Sequence, residues 1–149
     1  MRTRGFTLVE LMVAIVIISI IVLYGFPRIQ TLLAKSNLRS ARTAVSGAVQ
    51  QAKAYAINNG RVATVNLATS GQMWVTATPR SDGAAGVDTV GMVKNLTTAY
   101  GATVAPAQTI VFDQRGLMTP VGVTPQTTTF SKYGYSDSLR INGFGGIVR

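Results

Sequence analysis

Few residues in this chain are of a type that could do chemistry. It contains no histidine and no cysteine, and its acidic groups are Glu10, Asp82, Asp88, Asp113 and Asp137. Without an imidazole or a thiol, the usual base for a hydroxyl nucleophile is missing, and so are the commonest zinc ligands and any disulfide. The aspartates are scattered rather than set at calcium-loop spacing, and Asp82 and Asp88 read as surface loop residues. No glycine-rich phosphate loop opens a helix. Neither an enzyme nor a resident cofactor or metal is expected. What remains is Glu10, the only glutamate, near the start of an apolar run. A carboxylate inside a bilayer costs about 2.5–3.5 kcal/mol at the centre and less toward the interface. Glu10 is therefore either an interfacial acid at headgroup level or the partner of a positive charge from a neighbouring subunit. Cleavage after Gly5 would create that charge as the free amine of Phe6.

The element that must position Glu10 is a long helix. Between residues 8 and 26 only Glu10 and Ser19 are clearly polar, with Tyr24 amphipathic. About 20 such residues span a ~30 Å hydrocarbon core. Arg2 and Arg4 precede the run, which holds that end in the cytoplasm and sends the remainder outward. A secretory signal would end its apolar stretch in a small-residue cleavage site. Here the stretch ends Tyr24-Gly25-Phe26-Pro27-Arg28. The expected division is thus a leader over 1–5 and a transmembrane and assembly helix over 6–27. Pro27 removes one backbone donor and is expected to break or kink the helix once.

The segment Gly5-Phe6-Thr7-Leu8-Val9-Glu10-Leu11 resembles the class III signal of type IV pilins and type II secretion pseudopilins. The resemblance implies a prepilin peptidase that cuts after Gly5 and N-methylates Phe6. It also implies assembly with other pilin subunits through Glu10 and the Phe6 amine of a neighbour, with Pro27 as the family's helix-kinking proline. A single-pass protein of the bacterial inner membrane is expected, its globular part extracytoplasmic, moving into a pilus or pseudopilus on assembly.

Beyond Pro27 the helical pattern continues over 28–59, with Leu38, Ala41, Val45, Ala48, Val49, Ala52, Tyr55 and Ala56 at three- and four-residue spacing. Asn58-Asn59-Gly60 then provides a stop. Arg28, Lys35, Arg39, Arg42 and Lys53 fall in a sector of roughly 60°. No acidic residue lies between Glu10 and Asp82 to pair with them along the helix. This stripe is either a solvated face near lipid headgroups or a contact for polyanions or subunits. The net charge of +9 favours polyanionic partners.

From residue 60 to 149 the period shortens to that of strands. Strands are expected over 61–67, 73–78, 90–96, 109–112, 117–118, 127–133, 139–142 and 147–148, with loops over 80–87 and 101–107. The fold class is α+β, a small antiparallel β domain packed on the distal half of the helix. Trp74 is expected in the core, and Asp113 is expected to hold a turn with Gly116 at positive φ.

Asn37-Leu-Arg-Ser-Ala41, Ala52-Lys-Ala-Tyr-Ala56, Asn59-Gly-Arg-Val62 and Ile110-Val-Phe-Asp-Gln-Arg-Gly116 are similar to the GspH/FimT group of minor pilins and pseudopilins. That likeness implies a structural minor subunit of a type II secretion pseudopilus or a type IV pilus. Its other direction is a FimT-type minor pilin that binds DNA for natural transformation. Lys132, Arg140 and Arg149 are the candidate DNA-binding residues. The group's Gly-Arg-x-Arg element reads Gly146-Ile-Val-Arg149 here, so its first arginine is isoleucine.

Overall fold

Thr7 starts the helix. In the computed structural model, which describes residues 6–79, 86–119 and 125–148, Thr7 is the N-cap of α1 (Leu8–Asn59). The Glu10 N–H donates to Thr7 Oγ1 at 3.2 Å and the Thr7 N–H donates to Glu10 Oε2 at 3.2 Å. This is a reciprocal capping box, which satisfies donors that a helix end otherwise leaves open. At the far end Gly60 takes φ 60° and returns its N–H to the Ala56 carbonyl, as the Asn-Asn-Gly stop implies. α1 runs uninterrupted through Pro27, so the expected break is absent. Proline deletes only one rung of the i→i−4 ladder, and the rungs on either side hold the helix together.

After α1 the chain forms β1 (Ala63–Leu67), β2 (Gln72–Ala77), β3 (Asp88–Asn95), α2 (Leu96–Tyr100), β4 (Thr103–Ala105), β5 (Gln108–Phe112), β6 (Met118–Thr119), β7 (Gln126–Lys132), β8 (Tyr135–Ile141) and β9 (Ile147–Val148). The first sheet has the order β3-β2-β1-β5-β6, the second β4-β7-β8-β9, and every pairing is antiparallel. Both sheets pack on one stripe of α1. Leu38, Ala41, Val45, Ala48, Val49, Ala52 and Ala56 are buried there against Val65, Ile110 and Phe112 of the first sheet and Phe130, Leu139 and Ile141 of the second. Four alanines in that stripe let the helix axis lie close to two sheets at once.

The structure corrects the sequence expectations in the β domain as well. Residues 90–96 do not end as strand: Leu96 turns into α2, whose N-cap Asn95 accepts the Thr98 N–H at 3.0 Å. The expected loop 101–107 contains β4, a strand with a single inward residue, Val104. One inward position is too short a pattern for alternation to reveal. Trp74 lies on the outer face of the first sheet, half-buried opposite Asn66, while Met73 and Val75 take the core positions. A strand can turn only alternate residues inward, and two aliphatic positions outweigh one indole.

Asp113 does hold its turn. Its Oδ1 accepts the N–H groups of Arg115 at 2.9 Å and Leu117 at 2.8 Å, and Gly116 has φ 74°. A Cβ on Gly116 would lie 2.7 Å from Ile57 Cδ1, so the turn is seated directly on α1. The β8–β9 turn repeats the device. Asn142 Oδ1 accepts the N–H groups of Phe144 and Gly146, and Gly145 has φ 73°. Replacing Asp113 with Ala strands two N–H groups, and thermal unfolding should show a loss of about 1–3 kcal/mol.

Candidate assembly site

Nothing among the described residues packs on the first half of α1. Its most apolar stretch is nowhere buried, and the helix is long and apolar enough to cross a membrane. The exposed apolar side chains extend past Pro27 to Ile29, Leu32 and Leu33, and the first buried helical residue is Ala34. The β domain therefore begins where the bare apolar surface ends.

Phe6 is 79% exposed at the tip of this rod, one residue ahead of the Thr7–Glu10 box. Glu10 spends one carboxylate oxygen on Thr7, accepting from both its N–H and its hydroxyl, the latter at 3.1 Å. The other oxygen has no partner among the described residues. Sequence reading found Glu10 through its charge but missed its local role, although Thr7-Leu-Val-Glu10 has the Thr-x-x-Glu spacing of a capping box. Gly5, the expected cleavage site, lies outside the described residues, as do Arg2 and Arg4.

The basic stripe is only partly a free face. Arg42 Nη1 lies 3.4 Å from Asp137 Oδ1 on β8, Lys35 Nζ sits 5.0 Å from the Tyr135 ring centre, and Lys53 Nζ donates to the Phe144 carbonyl at 3.4 Å. These long side chains reach around the helix and over the edge of the second sheet. Their partners lie some 90 residues away, so no i,i+4 search could reveal them. A groove of about 780 Å³ remains between α1 and β8, lined by Lys35, Arg39, Arg42, Tyr135, Asp137 and Ile147 among others. Arg39 and Arg28 are exposed and take part in none of the ion pairs among the described residues.

Of the candidate DNA-binding residues, the two among the described residues do not converge. Lys132 faces inward with Phe130, opposite Tyr135, and donates to the Tyr100 carbonyl at 2.6 Å. Arg140 is exposed on the other face of the second sheet, opposite Thr127 and Val148. Five residues of strand separate Tyr135 from Arg140, roughly 17 Å at strand rise. Arg149 lies outside the described residues.

A long bare apolar helix whose distal half carries a small antiparallel β domain is the architecture of a pilin-like filament subunit. The prokaryotic N-terminal methylation motif matches residues 1–26. The family model of type II transport protein GspH matches residues 41–145, and the chain belongs to that family. Two crystal structures of the type IV minor pilin FimU from Pseudomonas aeruginosa have the same fold. Their TM-scores are 0.58 and 0.55 at 17% and 16% identity, covering 76% and 74% of this chain and 88% and 90% of theirs. No curated protein sequence matches the chain. Proteins of the pilin and pseudopilin families are structural subunits, not enzymes.

Proposed function

We propose that this chain is a minor subunit of a type II secretion pseudopilus or type IV pilus. It is processed after Gly5, methylated on Phe6, held in the bacterial inner membrane with its β domain outside the cytoplasm, and drawn into the filament by its helix. The observation that carries this reading is the N-terminal methylation motif at the head of an apolar, unpartnered helix that belongs to a GspH-family chain. Residues 8–33 would exchange lipid for neighbouring helices, and Glu10 would exchange Thr7 for a neighbour's Phe6 amine. Intact mass of the protein from its native host tests the processing. The expected species starts at Phe6 and carries one extra methyl group. A protein that keeps Met1 and never enters a sheared filament fraction overturns the reading.

DNA capture is the finer alternative, supported by the charge of +9 and by the exposed Arg140 beside β9. Lys132 weakens it, because its ammonium is already donated to the Tyr100 carbonyl. In a gel-shift titration the expected result is weak retention of duplex DNA that disappears between about 50 and 200 mM salt. Retention that survives the higher salt, and drops in Arg140→Ala, would promote this alternative over a purely structural role.

A further inference from the structure

The end of the β domain that faces the apolar half of α1 is rimmed with lysine and tyrosine. Three of the chain's four lysines and three of its five tyrosines gather there. Lys35 lies 5.0 Å from the Tyr135 ring, Lys94 5.5 Å from Tyr100, and Lys132 5.6 Å from Tyr133. Lys132 joins the pairs into one rim rather than offering its own charge: its ammonium is donated to the Tyr100 carbonyl and it stands opposite Tyr135 in the β7–β8 pairing. The cations the rim presents are therefore Lys35, Arg39 and Lys94. Arg39 connects the two sides, lining both the groove with Lys35 and Tyr135 and a smaller one with Lys94 and Tyr100. The acid in these grooves is Asp137, already held by Arg42. At the tip of the β7–β8 hairpin Tyr133 is 80% exposed with φ 50°, a conformation a bulky side chain rarely adopts.

The height of this rim along α1 identifies what it meets. Exposed apolar side chains run from Leu8 to Leu33, a rise of roughly 38 Å that fills a tilted bilayer core. Arg28, the one basic residue within that span, lies little more than one turn below its end, where a long side chain reaches the headgroups. Measured along the membrane normal at that tilt, Lys35 is then about 2 Å beyond the hydrocarbon edge and Arg39 about 7 Å, which is headgroup depth. Tyrosine rings and long cationic side chains are the residues that settle at that depth. A second copy of this chain is a poor source of counter-charge. Of the four acids among the described residues, Asp88, Asp113 and Asp137 each lie within 4 Å of an arginine, and Glu10 sits at the opposite end of the apolar rod.

From this geometry we infer that the rim is a docking surface for anionic phospholipid headgroups, on which the β domain rests while its helix is in the membrane. The inference rests on the membrane-anchored reading above. Leaving the bilayer for a filament then means breaking these contacts as well as withdrawing the helix.

The chain has no cysteine, so single labels are clean. A fluorophore on Thr98→Cys, an exposed position of α2 beside Tyr100, would be read in full-length protein reconstituted into vesicles. The vesicles are phosphatidylcholine alone or with 30 mole per cent (about one lipid in three) phosphatidylglycerol, with a quencher fixed at headgroup depth. Quenching should be about fivefold stronger in the anionic vesicles and fall to the neutral level in Lys35→Glu/Arg39→Glu/Lys94→Glu or at high salt. Equal quenching in both vesicles, or no response to the triple variant, overturns the inference. A triple variant that loses duplex DNA binding but keeps full quenching also overturns it, and assigns the rim to nucleic acid. A second label, on Ile18→Cys, read with an acyl-chain quencher, reports anchoring independently. If that label stays unquenched, it is the membrane reading that has failed.

Discussion

Glu10→Ala should leave membrane insertion intact and reduce recovery in sheared filaments by on the order of 100-fold or more. Most of the apolar contact would not change if the helix left the bilayer for a filament. Lipid tails are as apolar as the leucine, isoleucine and valine side chains that line residues 8–33, so exchanging one for the other provides little net drive. The polar groups decide the balance. Alone, Glu10 is satisfied by the neutral N–H and hydroxyl of Thr7. Next to a Phe6 ammonium the same carboxylate would make a charge-assisted bond, roughly twice as strong as a neutral one. Without Glu10 the ammonium is left buried and unpaired among helices, a loss of about 3–5 kcal/mol. The same substitution costs the helix start only about 0.5–2 kcal/mol, felt as fraying of the first turn. Glu10→Gln separates the two roles. Glutamine serves at N3 of a capping box but carries no charge. It should preserve the helix start and still fail to assemble. If Glu10→Gln filaments form at wild-type yield, capping is the residue's only role and the pairing idea is wrong.

How much of this was legible depends on whether each signal is local in the sequence. The apolar rod, the distal stripe from Leu38 to Ala56, the Gly60 stop and the Asp113 turn all follow from neighbouring residues, and all are in the structure. Pro27 deletes one donor, as its chemistry dictates, but does not break the helix, because one missing rung says nothing about the strength of the others. Trp74 was misplaced by weighing hydrophobicity above register. Most telling is the stripe of cations. Arg42 and Lys35 are committed to Asp137 and Tyr135 on a strand that follows them by about a hundred residues, and only tertiary structure brings those together. The same folding removes Lys132 from the surface where Arg140 lies, so among the described residues these two cations do not form one patch. The second Asx-held turn, at Asn142, is equally local, its carboxamide oxygen serving N–H groups two and four residues on in Asn142-Gly-Phe-Gly-Gly146.

Phe112→Ala should have the largest effect on the stability of the β domain, a loss of about 3–5 kcal/mol against a total of about 5–15 for a domain of this kind. Phe112 is fully buried at the end of β5, opposite Ala63 on β1 and Met118 on β6. Its ring also crosses to the second sheet, since a Cβ on Gly145 of the β8–β9 turn would lie 2.5 Å from its Cε1. The contact joins the two sheets where the alanine-rich stripe of α1 gives little bulk to fill the gap. The cavity left by alanine is therefore shared between sheets and cannot be closed by moving one of them. Trp74, the only tryptophan, sits half-buried on β2 and reports on the first sheet alone. In wild type its fluorescence transition in denaturant should coincide with loss of amide protection at Leu139 and Ile141 in the second sheet. In Phe112→Ala both midpoints should fall together. Val111→Ala, on the outer face of the same strand, is the control and should cost less than about 1 kcal/mol. If the Trp74 transition shifts while Leu139 and Ile141 stay protected as in wild type, the sheets are independent units and the bridge assigned to Phe112 does not exist.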